Sequence, residues 1–161
     1  MIFQSAALFD SMTVLENVMF PLDMFSDMNE TDRVRRAKFC LERVNLRGAE
    51  EKFPGEISGG MQKRVAIARA LCMRPDVIYF DEATSALDPK LTADMRDLIR
   101  RLSSQGMAVG IVTHEMGFAR DVSDRVAFLY DGSIAEEGSP DQVLANPKTD
   151  FVREFLSRAE D

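Results

Sequence analysis

Long apolar runs are missing from this sequence. No stretch approaches the roughly 18 consecutive apolar residues of a membrane-spanning helix. The opening "MIFQSAALFDSM" has no basic start of the kind a signal peptide carries. Positive charge is in deficit as well: 20 Lys and Arg stand against 27 Asp and Glu, a net charge of -7, with an isoelectric point near 4.8. So acidic a chain is a poor match for a phosphate backbone, and no nucleic-acid partner is expected. Cysteine is scarce. Cys40 and Cys72 form no CxxC pair and fall inside helical patterns, which suits small apolar roles in a reducing compartment. There is no internal repeat and no low-complexity segment. These absences predict a cytoplasmic protein, free to sit against a membrane protein.

What is present is a globular composition, 45% apolar and 29% charged over 161 residues. That is enough for one domain, or for a core plus a small subdomain. In "TVLENVMFPL", Thr13 and Glu16 form a capping box, and Pro21 is expected to limit the helix. Val34, Ala37, Leu41 and Val44 recur at helical spacing over 29–44. Arg33, Arg35, Arg36 and Lys38 fill the other face, read as a solvated face or a partner surface. A further helix is expected over 60–72, before Pro75. The rhythm then changes. "DVIYF" and "MAVGIVT" read as strands covered on both faces, separated by a helix over 89–103. A short helix at "EMGFARDV" precedes a third strand, "RVAFLY", which Asp131-Gly132 turns into a hairpin with "SIAEEG". Two closing helices are expected over 140–145 and 149–158. Alternating strands and helices predict an α/β layered core.

Three stretches carry chemistry. In "VIYFDEATSALD" an apolar strand ends in two adjacent acids, Asp81 and Glu82. Ligands of open α/β sheets bind at the carboxyl ends of strands. A carboxylate there can hold Mg²⁺, largely through water, while a second activates a nucleophilic water. The alternative makes Asp81 a helix cap and Glu82 an exposed acid. In "ISGGMQKRVAIARAL", Ser58 is an N-cap, and Gly59 and Gly60 leave helix N-terminal N–H groups open to an anion. An ordinary capped helix would look the same. His114, the single histidine, follows "VGIVT" at another strand end.

Taken together, "FQ" at Phe3-Gln4, "ISGGMQKR", "VIYFDEATSALDP" and "IVTHEM" resemble, in order and spacing, the nucleotide-binding subunit of an ATP-binding cassette (ABC) transporter. The resemblance spans essentially the whole chain. It implies an α/β fold of the P-loop NTPase (ABC ATPase) type, with a helical subdomain. Residues 1–4 and 75–161 would form the RecA-like ATPase core, and 5–74 the Q-loop and helical subdomain with the signature helix. It implies ATP and Mg²⁺ as cofactors. Gln4 would contact Mg²⁺ and the attacking water. Ser58, Gly59 and Gly60 would bind the γ-phosphate of ATP held by the opposite subunit. Asp81 would be the metal partner and Glu82 the catalytic carboxylate. Ser85 to Asp88 would form the D-loop at the dimer contact, and His114 would reach the γ-phosphate. The implied partners are transmembrane permease subunits, docked through the helical region before Ser58 (Phe9, Met12, Val14, Phe20 and Phe25), and a second copy or paired ATPase subunit. The implied place is the inner face of the cell membrane.

The sequence departs from the common pattern at Ile57, Met61 and Ala83, all mildly. A larger departure is that G-x-x-x-x-G-K-S/T occurs nowhere. The family's P-loop and its strand precede the Q-loop, where this sequence opens. The core is therefore expected to lack its P-loop strand, and the chain alone is expected not to hydrolyse ATP. Edges would be left at 109–113 and 126–130. A truncated reading frame would reconcile this with an intact Glu82 and His114. "FQSAALFDSMTVLENVMFPL" resembles ATPases of lipid-trafficking systems. The longer "VTHEMGFARDVSDRVAFLYDGSIAEEGSPDQVLANP" resembles polar amino-acid importers. Amino-acid import is thus the expected function. A non-hydrolysing regulatory fragment and a lipid-trafficking ATPase are the alternatives.

Overall fold

The computed structural model describes residues 1–2, 6–82, 84 and 88–159. Its contacts divide the chain into two units, Met1–Val112 and Thr113–Asp161.

The first unit is built on three mutually packed helices, α1 (Val14–Phe25), α2 (Glu30–Arg43) and α3 (Gly59–Cys72). The capping box forms as the sequence predicts: the Thr13 hydroxyl accepts from Glu16 N–H, and Glu16 accepts from Thr13 N–H at 2.7 Å. Two more first-turn donors, the N–H groups of Val14 and Leu15, find the carbonyls of Lys52 (2.8 Å) and Glu50 (2.9 Å). Pro21 does not limit α1, which runs on to Phe25. Proline removes a single backbone bond, and the helix is held by a buried stripe of Val14, Val18 and Leu22. α2 buries Ala37, Cys40 and Leu41. Its basic residues do more than face solvent. Arg33 pairs with Asp23 of α1 at 2.9 Å. Arg36 donates to the last carbonyls of α3, at Leu71 (2.8 Å) and Cys72 (3.3 Å), where cations suit the helix dipole.

β1 (Val77–Asp81) and β2 (Ala108–Val112) pair in parallel, with Val77 opposite Ala108 and Asp81 opposite Val112. They are connected through α4 (Pro89–Ser104), which buries Met95, Leu98, Ile99 and Leu102. On the other side of β1, Ile2 forms a bridge with Phe80. The strands are not covered on both faces. Ile78 and Phe80 are buried, whereas Val77 and Tyr79 are 46% and 55% exposed, and Val112 is 58% exposed. An apolar run does not distinguish one covered face from two.

In the second unit, α5 (Met116–Val122) leads to an antiparallel hairpin of β3 (Val126–Tyr130) and β4 (Ser133–Gly138). Asp131 and Gly132 both have positive φ, 46° and 72°, as a two-residue hairpin turn requires. The first closing helix is a five-residue π turn, Asp141–Ala145, rather than an α-helix. α6 (Asp150–Ala159) follows. Val143, Leu144, Val152 and Leu156 form this unit's core, joined by Met116, Ala119, Val126 and Phe128. Among the described residues β2 and β3 belong to separate two-stranded sheets, each strand paired on one side.

Candidate functional site

The acids sit where the sequence puts them. Asp81 is the last residue of β1 and Glu82 the first beyond it. The backbone around them is tied on both sides: Asp81 N–H donates to Ile2 O (2.8 Å) and Glu82 N–H to Val112 O (2.9 Å). Glu82 takes a left-handed conformation, φ 49°, which a residue with a Cβ adopts at a cost of roughly 1–2 kcal/mol. Both residues are half-buried.

Ser58 caps α3, its hydroxyl accepting from Met61 N–H at 3.3 Å. The first bond to Ser58 O comes from Gln62 N–H, at 2.9 Å, so the Gly59 and Gly60 N–H groups precede the helical ladder. The two glycines are not equivalent. A Cβ on Gly59 would meet nothing within 4 Å, whereas one on Gly60 would lie 3.0 Å from Leu91 Cδ1. Gly59 leaves an open approach. Gly60 lets the start of α3 pack on the first turn of α4. Asp88 is the N-cap of α4, its Oδ1 accepting from Leu91 N–H at 2.9 Å. Asp88 and Gly60 therefore both meet Leu91.

His114 lies in the bend after β2, exposed, in the second unit. Gln4 and Ser85 to Leu87 lie outside the described residues. The first unit thus brings together Asp81 and Glu82 at one strand end, and Ser58, Gly59, Gly60 and Asp88 around the start of α3.

Among the described residues no group of three or more His, Cys, Asp or Glu could hold a metal outright. Mg²⁺ demands less. It keeps several waters and is bound through one or two carboxylates and substrate phosphates, and the oxygen donors of Asp81 and Glu82 fit that chemistry.

The sequence reading missed a groove of about 370 Å³ beside the chain that flanks Gln4, lined in part by Ile2, Ala7, Phe9, Phe20 and Arg69. Arg69 of α3 reaches across to donate to the carbonyls of Ala6 (3.2 Å) and Ala7 (2.9 Å). It lies 6.0 Å from the Phe9 ring centroid, and burial lowers its pKa from the ordinary value. Phe9 in turn stacks on Phe20, centroids 4.7 Å apart. Asn17, fully buried, clamps the backbone of Phe9 through both its N–H and its carbonyl. The available signal was the α3 stripe Ala66, Arg69, Ala70, Met73, which puts one arginine among small and apolar residues.

The family model for the ABC transporter matches residues 1–85. The chain belongs to the ABC transporter family. It is 48% identical to the octopine permease ATP-binding protein P of Rhizobium meliloti over 98% of this chain and 60% of that protein. It is 44% identical to the glutamate transport ATP-binding protein GluA of Corynebacterium glutamicum, over 98% of this chain and 65% of that protein. The histidine transport ATP-binding protein HisP of Pseudomonas aeruginosa is 48% identical, over 98% and 62%. The chain spans 60 to 65% of the length of these relatives. Its fold is that of a solved dimeric ATP-binding cassette bound to ADP and Pi in a post-hydrolysis state. The TM-score is 0.74 and the identity 36%, over 86% of this chain and 61% of that one. As an ABC ATPase fold it is a nucleotide-binding fold. Among the described residues no helix is long and apolar enough to cross a membrane.

Proposed function

We propose that this chain carries the Q-loop, signature motif, Walker B acids, D-loop and switch histidine of an ABC importer's ATPase subunit, and that it couples ATP hydrolysis to amino-acid uptake through a transmembrane permease. The observation that carries the reading is the pair Asp81 and Glu82 at the carboxyl end of a parallel strand. Glu82 is held in a left-handed turn by backbone bonds on either side. Backbone strain at a carboxylate is a pointer toward function.

On this reading Glu82 orients the attacking water and takes its proton. Asp81, with Gln4, holds Mg²⁺, which when bound neutralises charge on the phosphates. Gly59, with its open approach, Gly60 and Ser58 present N–H and hydroxyl donors to the γ-phosphate of a nucleotide held by a second subunit, and His114 reaches the γ-phosphate of the nucleotide that Asp81 and Glu82 serve. The dimeric architecture of the similar cassette supports such a second subunit. Residues 1–4 and 75–161 are assigned to the ATPase core and 5–74 to the Q-loop and helical subdomain; the mutual packing of α1, α2 and α3 supports a helical cluster. The groove lined by Ile2, Ala7 and Arg69 is the proposed seat for the permease, with Phe9 and Phe20 on its wall. Val14, fully buried, belongs to the core instead. The relatives named for glutamate and histidine transport support amino-acid import over lipid trafficking. The working location is the inner face of the cell membrane.

The test uses phosphate release. The 161-residue chain by itself is expected to release none in a magnesium-dependent way, because positioning by a P-loop is missing from its sequence. Fused to a P-loop segment it should turn over. Glu82→Gln should then cut turnover by at least about 100-fold while retaining nucleotide in a dimer, and His114→Ala should lower it. Near-normal turnover in both variants would refute the assignment.

A further inference from the structure

The start of α3 is tied to α4 at two levels. Gly60 packs on Leu91, where a Cβ would come within 3.0 Å of both side-chain methyls. One turn further along each helix, Arg64 of α3 pairs with Asp94 of α4, Nη2 to Oδ2 at 2.5 Å. The same guanidinium reaches from Nη1 to Val44 O, the C-cap carbonyl of α2, at 3.5 Å, where a cation suits the helix dipole. Arg64 thus touches α2 and α4 from its place on α3. Its side chain is 17% exposed and that of Asp94 45%. The pair borders a polar recess of about 130 Å³ shared with Asn45, Asp97 and Arg101. An ion pair that water reaches adds little to stability. What it fixes is geometry, because the planar guanidinium accepts a carboxylate in few orientations. Asp88 caps α4 through Leu91 N–H, and the chain from Asp88 runs back to Glu82.

We propose that Arg64 is a positioning residue, whose ion pair with Asp94 locks the start of α3 to the first turns of α4, so that Ser58, Gly59 and Gly60 keep a fixed place relative to Asp88. What those groups do rests on the ABC reading above. On that reading Ser58 to Gly60 serve a nucleotide held by a second subunit, while the chain from Asp88 leads back to Glu82, which serves this subunit's own. The Arg64–Asp94 pair is then a mechanical link between the two sites. A shift of the signature donors onto a phosphate carries α4 with it, and α4 carries the D-loop. The Gly60–Leu91 contact is apolar and non-directional; the ion pair supplies the register. Asp94 lies a turn and a half beyond the cap of α4, so its loss disturbs alignment and leaves nucleotide affinity in place.

The lock is tested on the 161-residue chain by electron paramagnetic resonance. Nitroxides are carried on p-acetylphenylalanine in place of Lys38 of α2 and Lys90 of α4, both exposed; α2 reports on α3 because the two are packed together. The expected distance distribution is narrow in the parent chain, broadened or shifted in Asp94→Ala, and narrow again in Asp94→Glu, with urea midpoints little changed. Asp94 is exposed and alanine favours helix, so Asp94→Ala should fold; Arg64→Met removes the other partner and is read by the same distances. A distribution as narrow in these two variants as in the parent would overturn the lock, and so would a broadening that Asp94→Glu shares. Its consequence is read in the P-loop fusion. Asp94→Ala should lower kcat roughly 2- to 5-fold, the reach of a pair open to water, with KM for ATP unchanged and Asp94→Glu restoring kcat. An unchanged kcat, or a loss confined to KM, would overturn the positioning role. A fusion without turnover in any form would refute the function reading alone, and the distances would still decide the lock.

Discussion

Replacing Asn17 with alanine removes a side chain at 0% exposure whose bonds all run to backbone. Its Oδ1 accepts from Phe9 N–H at 2.8 Å, and its Nδ2 faces the carbonyls of Phe9 (3.0 Å), Met12 (3.1 Å) and Thr13 (3.0 Å). These losses are unequal. Thr13 O keeps Asn17 N–H at 2.9 Å and Phe9 O keeps Met12 N–H at 3.1 Å. The groups that lose their partner are Phe9 N–H and Met12 O. A buried orphan costs roughly 1–3 kcal/mol. Phe9 is 41% exposed, and water reaching its backbone lowers the sum to about 2–3 kcal/mol. Set against a domain stability of roughly 5–15 kcal/mol, that is large. It corresponds to a fall in Tm of about 4–12 °C for a chain of this size. Urea unfolding of the full chain, with hydrogen exchange at Phe9, measures both the global and the local effect. A change below about 0.5 kcal/mol, with Phe9 still protected, would show that Asn17 does not hold this segment.

Other outcomes follow from the sheets and the tail. Ala108 N–H donates to Asp76 O and Val112 O accepts from Glu82 N–H; by the alternation of a parallel ladder, 108, 110 and 112 therefore turn toward β1, and 109 and 111 turn away. Val109 and Ile111 amides should exchange fast and Gly110 and Val112 slowly; equal protection at all four would refute the one-sided pairing. Gly110→Ala should destabilise the strand pair, because its Cβ would fall 2.4 Å from Tyr79 Cε1, and Tyr79→Ala should relieve the effect. Unaltered urea unfolding in the single variant would count against it. Glu136 accepts from Lys148 N–H at 2.8 Å and from the N–H and hydroxyl of Thr149, and the Lys148 bond first, then those from Thr149, lower its pKa from the carboxyl value of 4.5. A depressed folded-state pKa contributes stability above the unfolded value that is lost as pH falls through the lower folded value. Protection at Lys148 and Thr149 should therefore persist at pH 4.5 and fade below it. Glu136→Gln should remove that pH dependence, and an identical profile in the variant would refute the tie.

How much of this was legible in the sequence depends on the range of the interaction. Caps are local, and Thr13, Asn29, Ser58 and Asp88 all accept from the backbone three residues on, in their own first turns. The Asp131-Gly132 turn is local too. Pro21 misled because its penalty is local while the buried stripe that outweighs it is tertiary. The apolar runs of β1 and β2 misled for the opposite reason. Composition reports that a strand can be buried, and only the packing decides that Ile78 and Phe80 are, while Tyr79 lies across Gly110. The partners of Arg36, Arg69 and Asn17 carry no pattern at all. Each acts through backbone carbonyls or N–H groups of another segment, and a backbone group has no residue identity to read.

The same distinction runs through the candidate site. Asp81, Glu82, Ser58 and Gly59 were legible as candidates because each stands at a backbone feature that the pattern marks: a strand end for the two acids, a helix start for the serine and glycine. Their cooperation was not, since it depends on elements joined by backbone bonds across long stretches of chain. Glu82 shows how the two levels meet. Glycine would take φ 49° without strain, so the local backbone favours a residue other than the one present. The bond from Glu82 N–H to Val112 O fixes that backbone from a strand thirty residues away, and the carboxylate is carried on it at the expense of conformational ease. Local preference and tertiary constraint disagree at this residue, and such disagreement concentrates where a side chain is retained for its chemistry.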